Sequence, residues 1–288
     1  MTCDWLLFLC FINDLPEHVK SQIRPFADDC LLYRRIKKAL DLQLLQEDLE
    51  ALEKWAETWG MRFNATKCYV MSLHRQQKPL TKFYQLNGEI LQQVSENPYL
   101  GLIIRDDLQW SSHINKMCAK ASQSLGFIRR NLRHCNASFK ETAYISLVRS
   151  VLEYSSTVWD PHYKDEIKQI EMVQRRAARF VKNDYGSRSS VTQMMSDLNW
   201  KSLQDRRRDS RLVLLYKIIN ELVAIPPDKH LVKTTRDLKT ANNQKQYHTI
   251  RATVDNYRFS FFPRTIREWN NLSNPVVSCP FRAAVQRI

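Results

Sequence analysis

The stretch Ile23-Arg24-Pro25-Phe26-Ala27-Asp28-Asp29-Cys30-Leu31-Leu32-Tyr33 decides how this chain is read. Ile23 and Phe26 lead into two adjacent aspartates, and Leu31, Leu32 and Tyr33 follow them. Apolar runs on either side of a short polar break predict strand, tight turn, strand, because aspartate is a favoured turn residue. On a regular strand successive side chains face opposite ways, so neighbouring aspartates can serve one centre only where the chain turns. The pair is either turn chemistry facing water or part of a divalent-cation site.

The second reading has a definite chemistry. Nucleotidyl transfer by two metals needs carboxylates that hold the ions about 4 Å apart. Mg2+ takes hard oxygen ligands, often one or two carboxylates plus substrate phosphates. Other classes fare worse. Only five glycines occur, and neither a Walker loop nor a dinucleotide fingerprint is present. The seven cysteines form no Cys-x-x-Cys pair, which speaks against a disulfide framework and a zinc module and for reduced thiols without disulfide partners. The apolar run Trp5 to Ile12 has no basic leader and is too short for a bilayer. The expectation is an intracellular protein, nuclear or cytoplasmic, neither secreted nor membrane-spanning.

At 288 residues, 43% hydrophobic and 10% aromatic, the chain has room for two domains and a sizeable core. Its charge is uneven. Residues 1–105 hold 13 Lys+Arg and 13 Asp+Glu, while residues 106–288 hold 31 and 17, so the whole net charge of +14 lies in the second part. A basic half beside a neutral half suits either polyanion binding, through counterion release, or a surface that keeps the chain dissolved.

Periodicity separates these halves further. Leu42, Leu45, Leu49, Leu52, Ala56 and Trp59 predict an amphipathic helix over about 40–59, ended by Gly60, with Glu47, Asp48, Glu50, Glu53 and Glu57 as a solvated acidic face. Lys67–Leu73, Phe83–Leu86 and Tyr99–Ile104 predict strands, with Asn87-Gly88 as a hairpin turn. From Ser111 the pattern is helical. Ile114, Met117, Cys118, Ala121, Leu125, Ile128 and Leu132 share one face, opposite Lys116, Lys120 and Arg130. A helix over about 164–182 sets Ile167, Ile170, Val173, Ala177 and Phe180 against Lys164, Lys168, Arg175, Arg179 and Lys182. That second line is a candidate phosphate-backbone contact. A third helix, Leu203–Leu222, carries Arg206-Arg207-Arg208 and Arg211 where they could grip phosphates. Residues 228–258 read as a polar linker or partly ordered loop, and Phe259, Phe261, Phe262, Ile266, Trp269 and Leu272 as an apolar tail that docks on something.

Several motifs occur in one order and spacing: Ile12-Asn13-Asp14-Leu15-Pro16, Phe26-Ala27-Asp28-Asp29, Asn64-Ala65-Thr66-Lys67, Tyr99-Leu100-Gly101-Leu102, Trp110 with His113-Ile114, Arg149-Ser150-Val151-Leu152-Glu153-Tyr154 and Trp159-Asp160-Pro161. They continue through Gln174-Arg175-Arg176-Ala177-Ala178-Arg179, Leu203 with Arg206-Arg207, and Ser260-Phe261-Phe262-Pro263-Arg264. Together they resemble the reverse transcriptases of LINE-type, non-LTR retrotransposons over nearly the whole chain. The resemblance implies an α+β fold: a truncated right-hand palm over 1–105, a helical thumb-like region over 106–225, and a linker with a tail domain over 226–288. It also implies an RNA template with a DNA primer, or an RNA/DNA hybrid, as partner and Mg2+ as cofactor. Asp28 and Asp29 match the paired metal-site aspartates, Lys67 the lysine that acts as acid towards pyrophosphate, and Tyr99, Leu100 and Gly101 the primer grip.

The family's further metal-ligating aspartate, its Gln-Gly segment and its fingers have no counterpart among these residues. The chain by itself is therefore expected not to polymerise. A non-catalytic RNA- or hybrid-binding protein and a decayed element product remain alternatives.

Overall fold

The computed structural model describes residues 8, 10–74, 82–234, 243 and 245–278. Among the described residues the architecture is α+β, with helices and four small two-stranded sheets. The chain divides into two compact units, one of residues 1–99 with 104–108, the other of residues 100–103 with 109–288.

In the first unit β1 (Gln22–Phe26) and β2 (Asp29–Tyr33) form an antiparallel hairpin, with Phe26 opposite Asp29 and Ile23 opposite Leu32. The period of two puts Ile23, Cys30 and Leu32 inward and Phe26, Asp29, Leu31 and Tyr33 outward. Helix α1 (Ala39–Thr58) covers the inward side with Leu52, Trp55 and Ala56. Its other apolar residues, Leu42, Leu45 and Leu49, pack on Tyr84, Leu86 and Leu91. Burying one such aliphatic side chain stabilises by about 1.5–3 kcal/mol. Trp55 also donates its indole N–H to Asp14 at 3.0 Å, which ties α1 to the turn ahead of the hairpin.

Two expectations for this helix need correction. Asp48 is buried, not solvated: its carboxylate accepts the backbone N–H groups of Lys20 and Ser21 at 2.7 and 2.9 Å and faces Arg34. Trp59 is 45% exposed, because the helix ends before its ring can turn inward.

The expected strands are shorter than their apolar runs. Asn64 accepts from the Thr66 N–H and hydroxyl, which winds Ala65–Lys67 into a 3-10 turn and leaves β3 as Tyr69–Val70 alone. Phe83 stands 78% exposed outside β4 (Gln85–Leu86). Asn87 and Gly88 both have positive φ and join β4 to β5 (Glu89–Ile90), as an Asn-Gly turn should. β6 (Gln92–Gln93) runs parallel to β3. The expected strand Tyr99–Ile104 is two, β7 (Glu96–Tyr99) and β8 (Leu102–Arg105). Leu100 and Gly101 break it at φ +47° and +80°.

The second unit is helical. α2 (Ser111–Asn131), α3 (Ala137–Tyr144), α4 (Ser150–Glu153), α5 (Ser156–Trp159), α6 (Lys164–Lys182) and α7 (Val191–Asp197) enclose one core. Between α3 and α4, Ile145–Arg149 is a π-helical bulge. The apolar stripes of α2 and α6 are buried as their spacing requires, Ile114, Ala121, Ile170 and Ala177 completely. α8 (Leu203–Ile219) ends at Ile219, short of Leu222. Its second half joins the tail core, where Leu212, Leu215 and Tyr216 meet Ile266 and Trp269 of α10 (Phe261–Asn270), preceded by α9 (Asp255–Arg258). The 228–258 stretch is partly built into this core. Leu231 and Tyr247 are buried, Lys233 bridges to Tyr247, and the Asn243 amide donates to the carbonyls of Trp269 and Leu272. The rest of that stretch, 235–242 and 244, lies outside the described residues. Among the described residues no helix is long and apolar enough to cross a membrane.

Candidate active site and nucleic-acid surfaces

The turn between β1 and β2 is two residues, Ala27 and Asp28, with Ala27 at φ +50°. A left-handed alanine costs roughly 1 kcal/mol or more, and such strain gathers at functional sites. Asp28 and Asp29 are exposed, and among the described residues neither carboxylate is engaged in a hydrogen bond or ion pair. Free, hard oxygen donors at a turn tip fit a divalent cation. Among the described residues no three His, Cys, Asp or Glu side chains converge to form a metal site.

Two other expected segments gather at this hairpin within the first unit. Tyr99 has its phenol pushed up by burial and then by the Asp29 carboxylate and Cys30 beside it. The Cys30 thiol is pushed up to about 11 by burial, then by Cys68 and Asp29. Cys68 directly follows Lys67, whose side chain is exposed at the end of its 3-10 turn. The carboxylate turn, the Asn64–Cys68 segment and Tyr99 therefore converge, although 29 and 99 lie far apart in sequence.

Leu100 and Gly101 belong to the second unit, where Tyr154 holds them. The Tyr154 hydroxyl donates to the Leu100 carbonyl at 3.0 Å, and a Cβ on Gly101 would come within 3.1 Å of the tyrosine ring. The Trp159 indole donates to the Tyr154 carbonyl at 2.7 Å. Tyr154 is thus a positioning residue for this turn. Its sequence signal was the run Arg149 to Tyr154, which names no partner.

The cations of the helical unit sort into two kinds. Lys116, Lys120 and Arg130 on α2, and Lys164, Lys168 and Arg175 on α6, form no ion pair among the described residues. Arg179 and Lys182 do not continue the open stripe. Arg179 donates to the carbonyls of Gly186 and Ser189, closing the loop after α6, and Lys182 pairs with Asp197 at 3.2 Å.

Arg206, Arg207 and Arg211 of α8 are structural and not phosphate grips, while Arg208 is half exposed, 3.9 Å from Glu268. Arg206 pairs with Glu153, and Arg207 and Arg211 meet the Asp160 carboxylate at 2.7 and 2.9 Å, both fully buried. Arg264 adds a third contact to Asp160 at 3.1 Å, and its guanidinium is pushed down by burial. A side chain opposite the apolar stripe of one helix looks solvent-facing in sequence. Here Glu153 of α4, Asp160 directly after α5 and Glu268 of α10 cover it with acids.

Comparison with known proteins now bears on this geometry. Residues 6–104 match the family "Reverse transcriptase (RNA-dependent DNA polymerase)". The chain is 26% identical over 70% of its length to the probable RNA-directed DNA polymerase from transposon BS of Drosophila melanogaster, covering 24% of that protein. It is 26% identical over 60% of its length to the RNA-directed DNA polymerase from mobile element jockey, and 23% over 61% to the probable enzyme from transposon X-element, both of the same fly. Each of these two matches covers 20% of the relative, so the chain spans at most about a quarter of the proteins it resembles. No solved structure matches.

Proposed function

We propose that the chain is the metal-turn part of a right-hand palm followed by a thumb-like helical region, a reading supported by the match of residues 6–104 to the reverse transcriptase family and by the likeness to RNA-directed DNA polymerases of mobile elements. The palm part is residues 1–105, the thumb 106–225 and the linker and tail 226–288. Asp28 and Asp29 would hold Mg2+, which when bound supplies Lewis-acid stabilisation of phosphoryl charge. Lys67 would face the pyrophosphate end, where a cation offsets developing negative charge. Tyr99, Leu100 and Gly101 would position the 3′ end of a DNA primer. The open cations of α2 and α6 would contact the backbone of an RNA template with its primer, or of an RNA/DNA hybrid. The free thiols of Cys30, Cys68, Cys118 and Cys135 would suit an intracellular location, in nucleus or cytoplasm.

The observation that carries this reading is the pair of free carboxylates at the strained two-residue turn between β1 and β2, with Ala27 at φ +50°. Two carboxylates are too few to hold two ions, so the 288 residues on their own are proposed not to extend a primer. Primer extension on RNA and DNA templates with Mg2+ or Mn2+ tests this. Incorporation that disappears with Asp28→Ala would refute inactivity. Separately, Mn2+ should broaden NMR signals of residues 26–30, and loss of that broadening is expected in Asp28→Asn/Asp29→Asn. Equal broadening in the double variant removes the metal assignment.

A non-catalytic nucleic-acid-binding role is favoured by one further observation, the unpaired cations of α2 and α6. It calls for salt-sensitive binding to RNA that Lys168→Glu/Arg175→Glu weakens uniformly across sequences. Binding insensitive to this pair would exclude that surface.

A further inference from the structure

The tail carries a second basic feature that the palm and thumb reading leaves without a role. The extended segment Thr249–Thr253, the end of α9 and the middle of α10 surround an open cleft of about 480 Å³, lined by Thr249, Arg251, Thr253, Arg258 and Arg267 with the apolar Ile250 and Ala252. No acidic residue lines it. Among the described residues none of these three arginines forms an ion pair, although every arginine of α8 and Arg264 does. The same small region therefore neutralises its other arginines with Glu153, Asp160 and Glu268 and leaves these three uncompensated.

The cleft is also built rather than loose. Arg267 donates through Nε to the Pro263 carbonyl at 3.1 Å and through Nη2 to the Arg258 carbonyl at 3.0 Å, so its guanidinium is fixed with its remaining N–H groups available. Arg258 packs its guanidinium 5.7 Å from the Phe259 ring centre. The backbone N–H groups of the lining segment Thr249 to Thr253 have no protein acceptor among the described residues. Guanidinium forks, hydroxyls and free amides without any acceptor of net charge match a tetrahedral oxyanion, and arginine is the side chain suited to bidentate phosphate recognition. Three like charges around one cleft repel one another, and a bound dianion or phosphodiester relieves that.

We propose that this cleft is a phosphate-binding site, with Arg251 and Arg258 as its exposed ligands and Arg267 as the one held by backbone carbonyls. The phosphate can belong to a nucleic-acid backbone or be free. Only the first source rests on the nucleic-acid reading given above, and neither rests on metal at Asp28.

The full chain and an Arg251→Gln/Arg258→Gln variant are titrated with inorganic phosphate, followed by NMR of the arginine Nε–H signals, and with a single-stranded oligouridylate, followed by anisotropy across a salt series. Both side chains are exposed, so the variant is expected to keep its melting temperature. Arg267 is left alone because it holds carbonyls. Phosphate should shift the Arg267 signal in the wild type and not in the variant. The slope of log K against log salt for RNA should flatten by about 1.4, at about 0.7 per lost phosphate contact on a single strand. Phosphate shifts without RNA binding leave the site standing with free phosphate as its ligand and count against the nucleic-acid reading. RNA binding with an unchanged slope, together with no phosphate-dependent shift, overturns the proposal, as does the absence of both responses in the wild type.

Discussion

Replacing Asp160 by asparagine keeps the shape of the side chain and removes one charge from a buried cluster. Its carboxylate contacts Arg207 at 2.7 Å, Arg211 at 2.9 Å and Arg264 at 3.1 Å. Glu268 still serves two of the three, at 2.9 Å from Arg211 and 3.6 Å from Arg264. Arg207 has no such reserve. It is 0% exposed, its Nη1 and Nη2 lack partners, and beyond its Nε contact to Asp160 it has only the face of Trp159 at 5.9 Å. Removing one partner of a buried pair leaves an uncompensated charge and costs about 3–5 kcal/mol. The stability of a domain is about 5–15 kcal/mol, so Asp160→Asn should leave the helical unit marginal.

Hydrogen exchange with mass spectrometry reads this unit apart from the other. Amides of α5 and α8 that open only on unfolding of the unit should exchange faster by about 2.2 to 3.7 orders of magnitude, at 1.36 kcal/mol per decade. An apolar replacement separates charge from packing. Asp160→Leu with Arg207→Met and Arg211→Met leaves the Arg264–Glu268 pair intact and should recover most of the loss, since well-packed apolar groups commonly replace buried ion pairs without penalty. Acceleration below about tenfold in Asp160→Asn would refute the claim that this carboxylate holds the cluster.

Ala27→Gly should stabilise the hairpin by about 1 kcal/mol, because glycine adopts φ +50° without strain. Urea midpoints for the first unit check this, and a destabilised variant would show the turn is not left-handed. Gly101→Ala should cost about 1–3 kcal/mol at φ +80° with the Tyr154 ring in the way, and Tyr154→Ala should soften that cost in a double-mutant cycle. His113 and His162 are pushed down by burial, with Nε2 lacking a partner in each. The unfolded chain then binds more protons near pH 6. Stability is full above about 6.5 and falls as pH drops below it, by up to about 1.4 kcal/mol per pH unit for each histidine, and His113→Gln should flatten the melting profile. Cys30 and Cys118, with thiols pushed up to about 11 by burial, should react with a disulfide reagent at pH 7.5 more slowly than the exposed Cys10.

The helices were legible because their signal is local. Ile114 to Ile128 and Ile170 to Phe180 repeat at three and four over many turns, and the cores they enter are the ones their stripes require. The strands were overdrawn because a short apolar run carries no stop signal unless its turn chemistry is recognised. Asn87-Gly88 announced its hairpin, but Leu100 holds positive φ against its own preference and gave no warning. Tyr154 donates to the Leu100 carbonyl and packs on Gly101 from 54 residues away, so the turn is specified by tertiary contact.

Charge was the least legible property, and for a physical reason. A sequence lists cations, but their role depends on which acids the fold brings to them, and those acids are remote: Asp160 lies 47 residues from Arg207 and Glu153 lies 53 from Arg206. Read along one helix, Arg206 to Arg211 and Arg175 to Lys182 looked alike. Folded, the first group is paired with acids throughout, in the second only Lys182 meets an acid, and the arginines least conspicuous in the sequence, Arg251, Arg258 and Arg267, are the ones left facing a cleft without acids. Salt dependence of binding separates these groups. Only uncompensated cations release counterions when they neutralise a phosphate, so charge removal at Arg175 or Arg258 should lower the slope while removal at Arg206 changes stability and leaves the slope alone. A slope that falls equally for Arg206→Gln would mean that its contact with Glu153 opens in the bound state.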